Sequence, residues 1–183
     1  MSTPENWLQL DERSNALDNL KMCEHVLSHL PDPIRWKWAI IAMHQALYGF
    51  ALAAIQGTNC NSVRRDPTNP ESHVIPVRVA LGRAKNAQYL WPDGTPLVTT
   101  PEEEHAVERV VNEFRNGFEH FAPAAWSIEV SGMPGLLSGV LRVVEGIAIG
   151  TNSVRYWDVD ERATVVATTG RLRQLSAAEK VAA

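Results

Sequence analysis

This chain of 183 residues has few cysteines, no excess of basic residues and no N-terminal pattern of a secretory signal. Cys23 and Cys60 lack both the spacing of a zinc site and a secretory context, so they predict free thiols in a reducing compartment rather than a disulfide framework. The N-terminus lacks the basic region and apolar run of a signal peptide. We therefore expect a cytoplasmic protein.

Positive charge is also scarce. Seventeen lysine and arginine residues against 21 aspartate and glutamate residues give a formal net charge of -4. A general nucleic-acid coat protein is usually basic, so any contact with RNA must depend on local arginines. With 45% hydrophobic and 21% charged residues, residues 1–183 can form one soluble domain with a substantial core. We expect flexible tails at residues 1–6 and 177–183.

Apolar residues recur at helical spacing through most of the chain. The pattern predicts helices at residues 16–30, 34–56, 77–90, 100–121, 136–150 and 159–175, a long mobile loop at 57–76 that carries Arg64-Arg65, and a short extended segment at 126–130. The last helix contains several threonines and a glycine, which are poor helix formers. The fold class predicted is an all-α bundle of about five or six helices.

The helix expected at residues 34–56 is long and apolar enough to suggest a membrane span. Its midpoint carries the polar residues His44 and Gln45, however, and no second span follows, so we expect no membrane association. His44 and Gln45 then need partners in or beside the core. Either they form a hydrogen-bonded polar pair within the bundle, which is the simpler interpretation, or they form a secondary wall of an RNA cleft.

His25 and His29 lie one helical turn apart, a spacing that can hold a metal ion. No acidic or third ligand stands at a recognised spacing, so structural histidines are the simpler interpretation. We expect no metal and no other cofactor.

The helix expected at residues 100–121 has a well-marked beginning. Thr100 can cap its N-terminus, Glu103 can complete a capping box, and Pro101 suits the first turn. Apolar residues then recur every three or four positions, which puts them on one stripe: Val107, Val110, Val111, Phe114, Phe118 and Phe121. This stripe must face a core.

The same helix ends in the sequence RNGFEH, which combines a fixed cation, an amide and a titratable imidazole. At about 100° per residue, Arg109, Asn116 and His120 point away from the phenylalanines, and Arg115 lies on the border. One interpretation is an ordinary solvated helix end in which Arg115 pairs with Glu119. The other is a site that faces water, RNA or a second copy of the chain.

The spacing of Arg115, Asn116 and His120 near the end of a late helix resembles the Arg-x(4–6)-His signature of the HEPN superfamily, whose members are small helical bundles. The segments WKWAIIAMHQALYGFALAAIQGTN and RNGFEHFAPAAWSIEVSG extend the resemblance to small bacterial HEPN-like proteins across roughly residues 13 to 150. It implies a homodimer in which the motifs of both chains line one cleft.

The resemblance also implies metal-independent endoribonuclease chemistry. His120 would act as general base toward a ribose 2′-OH or as acid toward the leaving 5′-oxygen. Arg115 would hold the phosphate oxygens, and Asn116 would orient His120 or bind the phosphate. DNA, which lacks the 2′-OH, is not an expected substrate.

Three further residues are candidates for RNA contact: Arg109, His44 and Gln45. The superfamily also contains inactive members, so the main alternative is a dimeric module that binds a nucleotide, RNA or a partner protein of antitoxin type without cutting. A third interpretation is a helical interaction module whose arginines serve only salt bridges.

Overall fold

The computed structural model describes residues 11–57, 59–119, 127–156 and 159–182. Within these ranges the chain forms helices and no strand, with one isolated antiparallel bridge between Arg64 and Val74. The expected all-α fold is confirmed. Residues 1–6, expected to form a tail, lie outside these ranges.

The α-helical segments are α1 Glu12–His29, α2 Ile34–Gln56, α3 Val77–Ala84, α4 Pro101–Glu108, α5 Arg115–Glu119, α6 Met133–Glu145 and α7 Val159–Ala182. Two π-helical segments, Arg109–Phe114 and Gly146–Gly150, join α4 to α5 and extend α6. Short 3-10 helices lie at Cys60–Val63 and Ala87–Tyr89. With α4, its π segment and α5 taken as one continuous helix, the described ranges contain six helices, as expected.

Helices α1 and α2 form an antiparallel hairpin at the centre of the bundle. The bounds of α2 are those expected from the sequence, because Pro31 and Pro33 break the chain before it and Gly57 ends it with a φ of 61°. A Cβ on Gly49 would lie 2.7 Å from the carbonyl oxygen of Glu12 and 2.8 Å from the Cβ of Ala16. The absence of a side chain at Gly49 therefore lets the two backbones approach closely.

The beginning of α4 confirms the predicted capping box. The amide of Glu103 donates to Oγ1 of Thr100 at 3.3 Å, and the amide of Thr100 donates to Oε2 of Glu103 at 3.0 Å. The predicted stripe faces the core: Val110, Val111 and Phe114 are buried, and Val107 and Phe118 are partly buried. Phe121 lies outside the described residues.

The π segment Arg109–Phe114 was not expected from the sequence. Its backbone hydrogen bonds span five residues instead of four, so it rotates the following residues relative to a straight α-helix. Helix α4 packs against α6, whereas α5 packs against α2. The π segment, which contributes Val110, Val111 and Phe114 to the core, thus lies between the part of the helix that packs against α6 and the part that packs against α2 and carries the motif.

Helix α7 begins at Val159 as expected but continues past residue 175, so that residues 177–182, expected to form a flexible tail, are helical. Val165 and Leu172 are fully buried, and Thr168 and Thr169 are buried beside them. Packing against α1 and α6 therefore outweighs the low helix propensity of the threonines.

One smaller expectation differs from the structure. Helix α3 ends at Ala84 rather than at residue 90, because the side chain of Asn86 accepts a hydrogen bond from the amide of Gln88 and starts a 3-10 turn instead. The short extended segment expected at residues 126–130, outside any sheet, is described at 127–130, where it is non-helical and belongs to no strand.

The loop at residues 57–76 has more internal structure than expected of a mobile connection. The amide of Arg65 donates to the carbonyl of His73, and the amide of Ile75 donates to the carbonyl of Val63, both at 2.9 Å. The guanidinium of Arg64 donates to the carbonyl of Ser72 at 2.6 Å. We call residues 63–75 the 63–75 hairpin.

Among the described residues two helices are long and apolar enough to cross a membrane, α2 and the helix Met133–Gly150, so the expectation that no second such segment follows α2 is wrong by length and composition. In the structure 72% of the apolar window of α2 and 61% of that of the second helix are buried inside the protein. Core helices of this length and composition pass the same test, so these segments fit the interior of the bundle.

Candidate functional site

The first two motif residues lie side by side at the beginning of α5. Nη1 of Arg115 donates to Oδ1 of Asn116 at 3.1 Å, and Nδ2 of Asn116 donates to the carbonyl of Asn112 at 3.3 Å. Asn116 is exposed and Arg115 is half-buried, which agrees with the helical wheel. The two side chains therefore present a guanidinium and an amide at one point of the surface.

His120, the third motif residue, lies outside the described residues. Its role as the proton-transfer group remains a prediction from the sequence.

His44 of α2 is the polar residue that the fold brings to Arg115. Its side chain is buried, with 5% exposure, and Nδ1 has no hydrogen-bond partner within the described ranges. Burial lowers the pKa of His44 to about 4, and the positive charge of Arg115 adds to this shift. The expectation of a hydrogen-bonded polar pair at His44 and Gln45 is thus wrong for Nδ1 of His44.

The lowered pKa fixes the charge of this group. At neutral pH the imidazole of His44 is uncharged, so the cations at this surface are arginines rather than histidine. Gln45, the next residue, is half-buried.

Tyr48, which was not among the residues predicted from the sequence, belongs to the same face of α2. Its ring lies 6.4 Å from the ring of His44, centroid to centroid, at an interplanar angle of 42°. The signal was present in the sequence, because residues four apart on a helix share a face.

Arg109 is held along its own helix. Its guanidinium makes two hydrogen bonds to the carboxylate of Glu113, at 2.9 and 3.4 Å, and lies 4.9 Å from the ring centroid of Phe114. Contact between Arg109 and RNA would have to compete with this ion pair. Of the candidate residues, the ones that the structure brings together are Arg115, Asn116 and His44.

His25 and His29 are exposed, with stacked rings 4.4 Å apart, and Nδ1 of His29 lies 2.9 Å from the carbonyl oxygen of His25. Within the described part of the chain no group of three or more His, Cys, Asp or Glu side chains could hold a metal ion. The described residues thus offer the pair no third ligand.

Burial of neutral His44 predicts a pH-dependent loss of stability. Because the folded-state pKa of about 4 lies below the ordinary value of about 6.5, the unfolded chain binds a proton first as the pH falls. The free energy of unfolding should therefore fall as the pH is lowered from 6.5 to 4, by up to roughly 1.4 kcal/mol per pH unit. Urea unfolding of the wild type and His44→Gln over this range measures the effect. If the difference in free energy of unfolding between the wild type and His44→Gln stays constant with pH, the prediction is wrong.

The chain matches no family model, no curated protein and no solved structure. The resemblance to the HEPN superfamily therefore rests on the motif and its helical context.

Proposed function

We propose that this protein is a metal-independent endoribonuclease that uses Arg115, Asn116 and His120. The observation that carries the proposal is the joint placement of Arg115 and Asn116, whose side chains are hydrogen-bonded at 3.1 Å on an accessible part of α5. Asn116 stands four residues before His120 in the sequence, about one helical turn. A phosphate group, its cationic clamp and a proton-transfer group can then meet in one place.

The reaction is an attack by the ribose 2′-oxygen on the adjacent phosphorus. The new 2′-O–P bond forms while the P–O5′ bond breaks, the proton of the 2′-OH passes to a base, and the 5′-oxygen receives a proton. His120 in its neutral form accepts the first proton, and in its protonated form it supplies the second. Arg115 remains cationic throughout and holds two phosphate oxygens as negative charge builds on them.

We propose further that two copies assemble with their motifs near one another. Ile34 and Trp38 of α2 are each 46% exposed, and the half-buried residues Ile41 and Gln45 follow them at steps of three and four residues. This face lies beside His44 on the same helix. Exposed apolar residues at this spacing are typical of helices that pair with a second helix, which supports the two-fold dimer implied by the HEPN resemblance.

A second candidate function is binding without cleavage. Its supporting observation is that Arg115 is partly buried beside His44 and bonded to Asn116, a setting that also suits a fixed anchor for a nucleotide, an RNA or an antitoxin-type partner. The net charge of -4 favours a limited contact over a general affinity for nucleic acid.

The two candidates differ in one assay. Purified protein should cleave single-stranded RNA in the presence of excess chelator and leave a 2′,3′-cyclic phosphate, or its hydrolysis product, and a 5′-hydroxyl. DNA of the same sequence is the matched control and should survive, since it lacks the nucleophile. If the protein binds RNA but leaves it intact at every ionic strength tested, the binding function is the correct one.

A further inference from the structure

The 63–75 hairpin is attached to the face of α2 that carries His44. The hydroxyl of Tyr48 donates to the carbonyl of Ile75 at 2.6 Å, and Ile75 is buried in the core. The hydrogen bonds between the two arms of the hairpin fix the backbone of Arg65. This arginine is therefore held beside α2, although it lies in a long connection.

The side chain of Arg65 is exposed and makes no ion pair within the part of the chain that the structure describes. It lies close to Tyr48: burial raises the pKa of Tyr48, and the positive charge of Arg65 acts in the opposite direction. An exposed guanidinium without a carboxylate partner is available for an anion.

Tyr48 and His44, one turn apart on α2, are the residues on which the charges of the two arginines act. The charge of Arg65 acts on Tyr48, the rings of Tyr48 and His44 are 6.4 Å apart, and the charge of Arg115 acts on His44. The side chains of Tyr48 and His44 are uncharged at neutral pH. His44 is buried, so the half-buried ring of Tyr48 is the aromatic group that this surface offers to a ligand beside the two arginines.

The buried Nδ1 of His44 supports a role in binding. An unpaired buried polar atom destabilises a fold, and an apolar side chain at this position in α2 would avoid that penalty. Residues that reduce stability in this way are typical of functional surfaces.

We propose that Arg65, Tyr48 and Arg115, with His44 buried next to Tyr48, form one surface, here called the Arg65–Arg115 surface, which binds single-stranded RNA, with Arg65 holding a second phosphate beyond the one at Arg115. The proposal rests on the proposed function and extends it from a cleavage motif to a strand-binding site. Sites for single-stranded nucleic acid combine cations that follow the backbone with aromatic rings that contact bases. The hairpin then fixes the distance between two phosphate positions.

The test compares a long and a short RNA in a His120→Ala background, so that cleavage does not disturb binding. An oligonucleotide of about 12 nucleotides, within the usual site size of such surfaces, reaches both arginines, whereas a dinucleoside monophosphate has only one phosphate. Arg65→Ala should weaken binding of the long RNA about tenfold and leave binding of the short one unchanged. Fluorescence anisotropy measures the long RNA, and NMR titration measures the short one.

The salt dependence of binding and a matched control variant make the test more specific. Loss of one phosphate contact should reduce the slope of log K against log salt concentration by about 0.7 for the long RNA. Arg162→Ala removes the same charge from an exposed position of α7 and should change neither quantity. Arg65→Lys should restore the salt slope but only part of the affinity, because an ammonium group cannot reproduce the guanidinium fork.

The outcomes separate this proposal from the proposed function. If the wild type cleaves RNA but Arg65→Ala and Arg162→Ala bind the long RNA equally well, the Arg65–Arg115 surface is wrong and the endoribonuclease stands. If binding depends on Arg65 but the wild type never cleaves, the surface stands and the endoribonuclease fails. If Arg65→Ala weakens binding of an acidic peptide and not of RNA, the surface is a protein-docking site and the proposal is overturned.

Discussion

Replacing His120 with alanine is expected to lower the rate of RNA cleavage by about 10²–10⁴-fold, the usual contribution of a positioned acid or base. The reaction needs one proton removed from the 2′-OH and one delivered to the 5′-oxygen, and alanine can do neither. The measurement is a single-turnover cleavage rate with enzyme in excess over RNA. Under that condition a change in product release does not mask the chemical step.

Arg115→Lys is the matched variant for the phosphate clamp. It keeps the positive charge but loses the two-pronged hydrogen bond, and with it the bond that Nη1 makes to Asn116, so cleavage should also fall. Both variants should remain folded and keep the mass of the wild type in light scattering. If the His120 variant cleaves RNA as fast as the wild type, another group performs the proton transfer and the ribonuclease assignment fails.

Phe114→Ala is expected to lower the free energy of unfolding by about 3–5 kcal/mol, the usual loss for a fully packed aromatic residue. Phe114 is 2% exposed, and its ring lies 6.1 Å from the ring of Phe118 in a stacked arrangement. The truncation would leave a cavity at the end of the π segment, where the helix passes from its contact with α6 to its contact with α2. Urea unfolding monitored by circular dichroism measures the loss.

The neighbouring positions supply the controls. Phe118 is only partly buried, so Phe118→Ala should be less destabilising than Phe114→Ala, whereas the sequence stripe alone treated the two residues alike. Asn116 is exposed, so Asn116→Ala should change the free energy of unfolding by much less. If Asn116→Ala proved the more destabilising of the three, the packing of this helix would have to be reassigned.

The sequence predicted the features whose causes are local. The capping box joins two residues three positions apart, Thr100 and Glu103, and the ends of α2 follow from the prolines before it and Gly57 after it. The arrangement of Arg115 and Asn116 is equally local, because both lie on one turn of one helix. Patterns of this kind can be read without knowing what packs against them.

Features that depend on distant segments were not readable. Arg65 reaches Tyr48 because the 63–75 hairpin closes on itself and then binds α2, an arrangement that depends on several contacts between separate parts of the chain. The lack of a partner for Nδ1 of His44 depends in the same way on what surrounds α2. Helix α7 shows the converse case, since burial of Leu172 and its neighbours offsets a sequence that is poor in helix formers.

The π segment between α4 and α5 bears on how related sequences should be aligned. A π turn holds more residues than an α turn, so Arg109–Phe114 amounts locally to an α-helix with an added residue. Loss of one residue there would restore a regular helix and leave the motif and the capping box in nearly the same relative orientation. An alignment that forbids a gap between Thr100 and Arg115 would therefore misplace the motif in any relative whose helix lacks the π turn. Two separate search patterns, one for the capping box and one for the motif, would find it.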